Sequence, residues 1–490
     1  MPTKVEGDLN TKTKTILRQF KLHLDEGYSK DPLPVQVDLI RAIADYLKAM
    51  NSHVKGKIMN DNHDSYNQQD FRYCLTVPAM WSERAKNSMR QAALLAELIN
   101  DFDHPDRLLL VTEPEAAALY CQLKCTQFDL GHKDRFMVCD AGGGTVDLIV
   151  YEVEKTNEGT FLSEVTKGHG ASCGSIFLDQ NFKRLVQEKF SSQGVTLEPK
   201  PLNKIVENFV EHVKPIFESD SDHALDLPVG AYLSQVRDPE AIEILDGSML
   251  FSRKELESRV FDPVIEQVYS LIDQQLSSAR DCTAIILVGG FGASNHLLAR
   301  VRRQFEGLGI KIVRAPRPEL AVVRGAVYAA LKPKIVTTRV SRQCYGIRIN
   351  MRFREGIDGP LDRKEFSHGS YCHNRFKCLV QKGQKVQTDE CISTTIMCRK
   401  GTSNDVLLPI YAFSGDGETP DFIHSKGMYR LADIRVKSAF SPSDPLDTKL
   451  EYQFKMFIGR NEIKSVVLLK GEEYAASIDF DSEQADNKNK

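Results

Sequence analysis

Asp140 and Asp147 stand at the two ends of the run Ala141-Gly142-Gly143-Gly144-Thr145-Val146. Carboxylates so placed can hold a magnesium ion, directly or through its waters, against phosphate oxygens. Three consecutive glycines permit a tight turn with positive φ, and they let backbone amides reach an anion with no Cβ in the way. The hydroxyl of Thr145 can orient a terminal phosphate or a water. An ordinary glycine-rich hairpin has the same spelling, so the run needs support from elsewhere in the chain. Glu113, opening Glu113-Pro114-Glu115-Ala116-Ala117-Ala118, supplies a third acid. Gly289-Gly290-Phe291-Gly292-Ala293-Ser294 supplies a second glycine cluster.

These residues need elements to hold them. Arg135–Cys139 and Leu148–Val153 read as strands flanking the triple glycine. Leu108-Leu109-Leu110-Val111 reads as a strand ending at Glu113, with Pro114 in the first turn of an alanine-rich helix. In a doubly wound sheet, an acid at that strand end faces the same crevice as the glycine hairpin. Ala284–Val288 reads as a strand running into Gly289 and Gly290, followed by a helix from Asn295 to Phe305. Strand, glycines and helix in that order are the common grammar of a nucleotide contact and equally of a structural turn.

The three segments in this order resemble the heat shock 70 kDa chaperones, together with Leu75-Thr76-Val77-Pro78-Ala79-Met80-Trp81-Ser82 and the helix after it. Trp81, Tyr120-Cys121 and the Gly-Gly-Phe-Gly-Ala-Ser spelling are most similar to the divergent 12A/12B branch. The resemblance covers about Leu17 to Leu331 well and the remainder loosely. It implies an α/β fold of actin-like ATPase (ribonuclease-H-like) lobes followed by a C-terminal antiparallel β-sandwich-like domain. It implies ATP/ADP and Mg2+ as cofactors, with Asp140 and Asp147 organising the metal, Glu113 near the metal and attacking water, and Gly142, Gly143, Gly144 and Thr145 as a phosphate loop. Gly174 and Ser175 resemble a further phosphate turn, Gly289, Gly290 and Ser294 the adenosine loop, and Glu319 an acid near the purine. Glu211, Lys214 and Phe217 match the spacing of the adenine-clamping helix, although the residues themselves favour a solvated helix face with one anchor.

The family's opening Asp-x-Gly-Thr-Thr hairpin, the first phosphate loop, has no counterpart between Met1 and Asp140. The first lobe is therefore expected to be incomplete, and its γ-phosphate lysine is assigned to no residue. Losing one preorganised donor costs about 3 kcal/mol of transition-state stabilisation, so weak or impaired ATP hydrolysis is expected.

Composition fits a soluble chain with real cores. Of 490 residues, 41% are hydrophobic and 27% charged. The net charge of −3, from 64 basic and 67 acidic residues, gives no electrostatic reason to expect nucleic acid as a partner. No apolar run approaches a membrane span, and no signal peptide follows Met1. The 11 scattered cysteines suit buried thiols in a reducing cytoplasm. Cys121 and Cys125 lack partners at zinc-ligand spacing.

The chain divides into a leader (1–15), a partial first lobe (16–104), a second lobe (105–333), a β-rich substrate-binding-like domain (334–480) and a polar tail (481–490). Ile16–Leu24 reads as a strand. Asn51–Asp70 reads as a polar loop after a helix carrying Val35, Leu39, Ile43, Leu47 and Met50. Beyond Pro333, alternation in Leu450–Met456 and runs near 345–350, 376–380, 392–398, 406–412, 429–436 and 463–469 read as short strands. Gly459-Arg460-Asn461 is read as a hairpin turn. Lys334–Val340, at the family's acidic linker, is basic, and no helical lid follows the β domain.

The favoured reading is an ATP-binding heat-shock-70-type protein in protein folding and quality control, gripping client polypeptide through the β domain with possible cochaperones. A nucleotide-binding scaffold without turnover and a sugar kinase on the same fold are the alternatives.

Overall fold

Phe136–Ala141 is buried without interruption, as a strand covered on both faces requires. In the computed structural model of the chain it lies inside a sheet ordered Lys311–Arg314, Cys282–Val288, Arg135–Ala141, Val146–Thr156. The first three strands run parallel, and the last closes an antiparallel hairpin on the third. The structure describes residues 5–6, 16–25, 33–34, 36–61, 68–125, 130–218, 221–366, 369–388, 390–400, 403–437, 439–446, 448–458 and 463–475.

The chain forms two compact units, one of Met1–Thr160 with Gly168–Ile335, the other of Phe161–Lys167 with Val336–Lys490. In the first unit, Tyr73–Val77 and Leu108–Thr112 pair in parallel. Each feeds a helix. Glu83–Leu95 is capped by Ser82, whose side chain accepts from the Ala85 amide, and it buries Ala85, Met89, Ala92 and Ala93. Such a cap is worth about 1 kcal/mol. Glu113–Lys124 starts directly at the strand end, carries Pro114 in its first turn and buries every residue from Pro114 to Cys121. Against it packs Ala321–Leu331.

The second unit holds two antiparallel sheets. One is ordered Arg363–Phe366, Gly369–Val380, Cys344–Arg352, Val406–Phe413, Met428–Val436; the other Cys391–Arg399, Lys449–Ile458, Ile463–Leu469, Glu472–Ala475. Ile347, Ile410 and Ile434 of the first sheet share one core with Phe454, Met456 and Val467 of the second. The short strands read from alternation all occur, each lengthened by one to several residues or unchanged. The hairpin turn at Gly459-Arg460-Asn461 lies outside the described residues, as do Ser219, Asp220 and the polar tail.

Several expectations need correction. Ile16–Leu24 is not one strand. Ile16–Leu17 pairs with Val5–Glu6, inside the expected leader, and Phe20–Leu24 is a 3-10 helix. Helix Leu39–Asp61 runs well into the stretch read as a loop from Asn51, because a helix anchored by buried Ala42, Ile43 and Ala44 propagates easily through a polar run that holds no proline. The linker-like stretch contains strand Val336–Val340, which pairs with Leu162–Ser163 and with Lys385–Gln387.

Candidate functional site

Four chain segments end at one place in the first unit. The hairpin register sets Asp140 directly opposite Asp147, so both side chains leave the same face of the sheet, with Cβ atoms about 5 Å apart. Val288, the last residue before Gly289, pairs with Asp140 from the other side. Glu113 follows the strand end at Thr112, which pairs with Val77. Two residues past Val77, the Ala79 amide donates to Asp147 Oδ1 at 2.9 Å. Sites at the carboxyl ends of strands, where sheet order changes direction, are the rule in open α/β folds.

Electrostatics bind these acids together. Asp140 and Asp147 are 5% and 1% exposed. Burial foremost, then Glu113 and Asp147, push the Asp140 carboxyl well above the usual carboxylate range, against the pull of Lys21. Burial and then Glu113 raise Asp147 to about 7, although the Thr145 hydroxyl and the Ala79 and Met80 amides oppose the shift. One oxygen, Asp147 Oδ2, is buried with no hydrogen-bond partner. Among the described residues no group of three or more His, Cys, Asp or Glu side chains converges to hold a metal ion. The three acids therefore interact through space without forming a chelate. Burial also raises the thiols of Cys139 and Cys173, the latter to about 12, so both are neutral neighbours of the acids.

The glycines work by closeness. A positive φ was expected in the triple-glycine turn, but none of Gly142, Gly143 and Gly144 adopts one. Gly142 instead donates to the Thr145 carbonyl at 2.9 Å. The amides of Gly174, Ser175 and Ile176 donate to the carbonyls of Gly144, Gly142 and Gly143 at 3.2, 3.1 and 2.9 Å, lacing the second turn onto the first. A Cβ on Gly174 would lie 2.5 Å from the Gly143 carbonyl oxygen. The positive φ belongs to Gly289, at +85, where a Cβ would meet the Ala141 carbonyl oxygen at 2.4 Å and Asp140 Oδ1 at 2.5 Å.

Of the residues singled out from sequence, Glu113, Asp140, Gly142, Gly143, Gly144, Thr145, Asp147, Gly174, Ser175 and Gly289 come together. Three others do not. Ser294 caps helix Asn295–Phe305 by accepting from the Leu297 amide. Glu319 is an exposed partner of Arg317 at 2.6 Å. Glu211 is exposed and lies 3.9 Å from His212. Gly290 follows Gly289 in the same short helix, with open space where its side chain would be. Lys214 is engaged from below: Nζ donates to Asp179 Oδ1 at 2.7 Å and to the Ser175 carbonyl at 3.2 Å. Phe217 is the anchor of that trio, buried and stacked on Phe261. Trp81 is buried.

Lys21 escaped the sequence. Its Nζ donates to Glu113 Oε1 at 2.8 Å and to the Thr76 carbonyl at 3.3 Å, and it lies 5.3 Å from the centre of the Trp81 ring. No motif surrounds it; only the fold carries it across more than ninety residues to the acid cluster.

Comparison with known proteins places the chain in a family. The family described as Hsp70 protein matches residues 48–338. The human heat shock 70 kDa protein 12A is 23% identical over 541 residues, covering 92% of this chain and 78% of that protein. Human heat shock 70 kDa protein 12B is 23% identical over 523 residues, covering 90% and 75%. The chaperone protein DnaK of Elusimicrobium minutum is 27% identical over 247 residues, covering 49% and 36%. The matched stretch spans the site from the Tyr73–Val77 strand to the Gly289 loop, on the actin-like ATPase domain, and the chain belongs to the Hsp70 family, in a divergent branch like 12A and 12B.

Proposed function

We propose that the first unit binds ATP and ADP with magnesium between the glycine hairpin, the Gly174 turn and the Gly289 loop, and that it hydrolyses ATP slowly. The observation that carries this reading is Asp147: a buried carboxyl raised to about 7, with Oδ2 unpartnered. Such an oxygen is costly unless a donor or a positive charge completes it. We assign Asp140 and Asp147 to the hydrated magnesium, which when bound neutralises phosphate oxygens and opens the terminal phosphorus to attack. The amides of Gly143 and Gly144 make no backbone hydrogen bond among the described residues, and we assign them to phosphate oxygens. Glu113 would accept the proton of the attacking water, and Lys21 would offset charge on the phosphate. Phosphoryl transfer is mostly such positioning and charge stabilisation.

For the second unit we propose capture of extended client polypeptide, with the whole protein serving folding and quality control in the cytoplasm. The support is the family resemblance and the two antiparallel sheets around one core.

Calorimetry with ATP, with and without magnesium, tests the site. Micromolar, magnesium-dependent binding is expected in the wild type and at least about tenfold weaker binding in Asp140→Asn. Binding indifferent to that substitution rejects the reading. Single-turnover hydrolysis then separates a slow ATPase from a scaffold that only binds.

A further inference from the structure

Lys21 sits on a weak element. Phe20–Leu24 is one short 3-10 helix, entered through Gln19 in the left-handed region at φ 58. Such turns have poor hydrogen-bond geometry and little rigidity of their own. A lysine there needs outside support to keep its ammonium within reach of Glu113. The structure supplies three supports. Phe20 is buried in the core built around Trp81 and Met89. Leu22 presses on the glycine hairpin so closely that a Cβ on Gly144 would lie 2.7 Å from its Cδ2. Asp25 ends the turn: its amide donates to the Leu22 carbonyl at 3.0 Å, and its Oδ2 accepts from Ser172 Oγ at 3.0 Å.

The Asp25–Ser172 bond reaches furthest. Asp25 is only 7% exposed, so its carboxylate needs protein donors in place of water. Ser172 belongs to the same short segment as Gly170 and Gly174. A Cβ on Gly170 would lie 2.9 Å from Asp147 Oδ1, and Gly174 is laced to Gly144. The bond thus couples the Lys21 turn to the segment that shapes the acid cluster and the second phosphate turn.

We propose that Asp25 is a positioning residue, which through Ser172 holds the Lys21 ammonium in register with Glu113 and the glycine hairpin. Its effect on turnover rests on the nucleotide reading given above; the tie itself does not.

The test compares Asp25→Ala, Ser172→Ala, Ser172→Thr, the Asp25→Ala/Ser172→Ala double variant and Lys21→Met, each as the full chain. Single-turnover ATP hydrolysis is expected to fall about tenfold to a hundredfold in the two alanine variants, while affinity for magnesium ATP changes less than about threefold. Ser172→Thr restores the rate by restoring the hydroxyl, and the double variant is no worse than Asp25→Ala alone. Wild-type rates in both alanine variants, with Lys21→Met inactive, overturn the proposal and leave the nucleotide site standing. Should Asp25→Ala not fold, the Ser172→Ala and Ser172→Thr pair decides. If the wild type does not bind or turn over ATP, the nucleotide reading fails, and hydrogen exchange of the nucleotide-free protein decides the tie. Faster, non-additive exchange at residues 20–25 in the alanine variants upholds it; unchanged exchange overturns it.

Discussion

Asp147 shows how one residue is shaped by burial. Its two oxygens are treated unequally, one held by the Ala79 amide and the other without a partner, and it keeps its proton to about pH 7. An aspartate in an unfolded chain releases its proton near pH 4. Between those values the folded chain binds more protons than the unfolded one, so this group's contribution to stability is whole below about pH 4 and is lost as pH rises through about 7. The melting temperature of the nucleotide-free protein should therefore decline over that interval more steeply in wild type than in Asp147→Asn, which cannot ionise. Parallel pH profiles for the two proteins would contradict the assignment. Magnesium ATP should flatten the wild-type profile, because a bound cation favours the ionised carboxylate.

Close approach governs the elements around the site. Gly289 combines a left-handed backbone with contact to the Asp140 side chain, whereas its neighbour Gly290 faces open space. Gly289→Ala should cost about 3 kcal/mol in urea denaturation, and Gly290→Ala should be neutral or slightly stabilising. Equal costs at both positions would mean that the loop is not held by contact. Gly325 plays the same part between helices: a Cβ there would fall 1.7 Å from the Ala116 carbonyl oxygen. The alanines after Glu113 and the small residues of Ala321–Leu331 are thus matched surfaces that bring the Glu113 helix against its neighbour.

At the scale of the whole molecule, the second unit is assembled from two stretches of chain. Leu162 and Ser163 pair with Val336 and Thr338. Glu164, 1% exposed, accepts from the Val340 amide at 2.9 Å and lies 3.5 Å from Arg339. A fragment of residues 336–490 alone lacks the Leu162–Ser163 pairing and the buried Glu164 carboxyl. It should be less stable than the same unit inside the full chain by about 3 kcal/mol or more, and a peptide of residues 159–167 should restore part of that stability. Denaturation of the fragment with and without the peptide measures this. Full stability without the peptide would show the strand to be dispensable.

Much of this protein is written locally. The glycine hairpin, the acid at the strand end, and the alternation that marks the strands of the second unit are set by spacing within a few residues, and the sequence determined them. The physical cause is short range: strand and helix periodicity and the demand for small residues at turns leave their signature in neighbouring letters. What only the tertiary structure decided is which side chains meet. Lys21 joins Glu113, and Asp25 joins Ser172, through contacts between segments that carry no mutual signal. Ser294 caps a helix and Lys214 holds the Ser175 carbonyl, contacts that the spacing of these residues did not foretell. The triple glycine was legible as a tight turn, but the crowding that demands glycine at Gly144 comes from Leu22 of a distant segment rather than from the turn's own dihedral angles. A hydrogen bond or a van der Waals contact is a property of two positions in space, and spacing along one chain does not fix that distance.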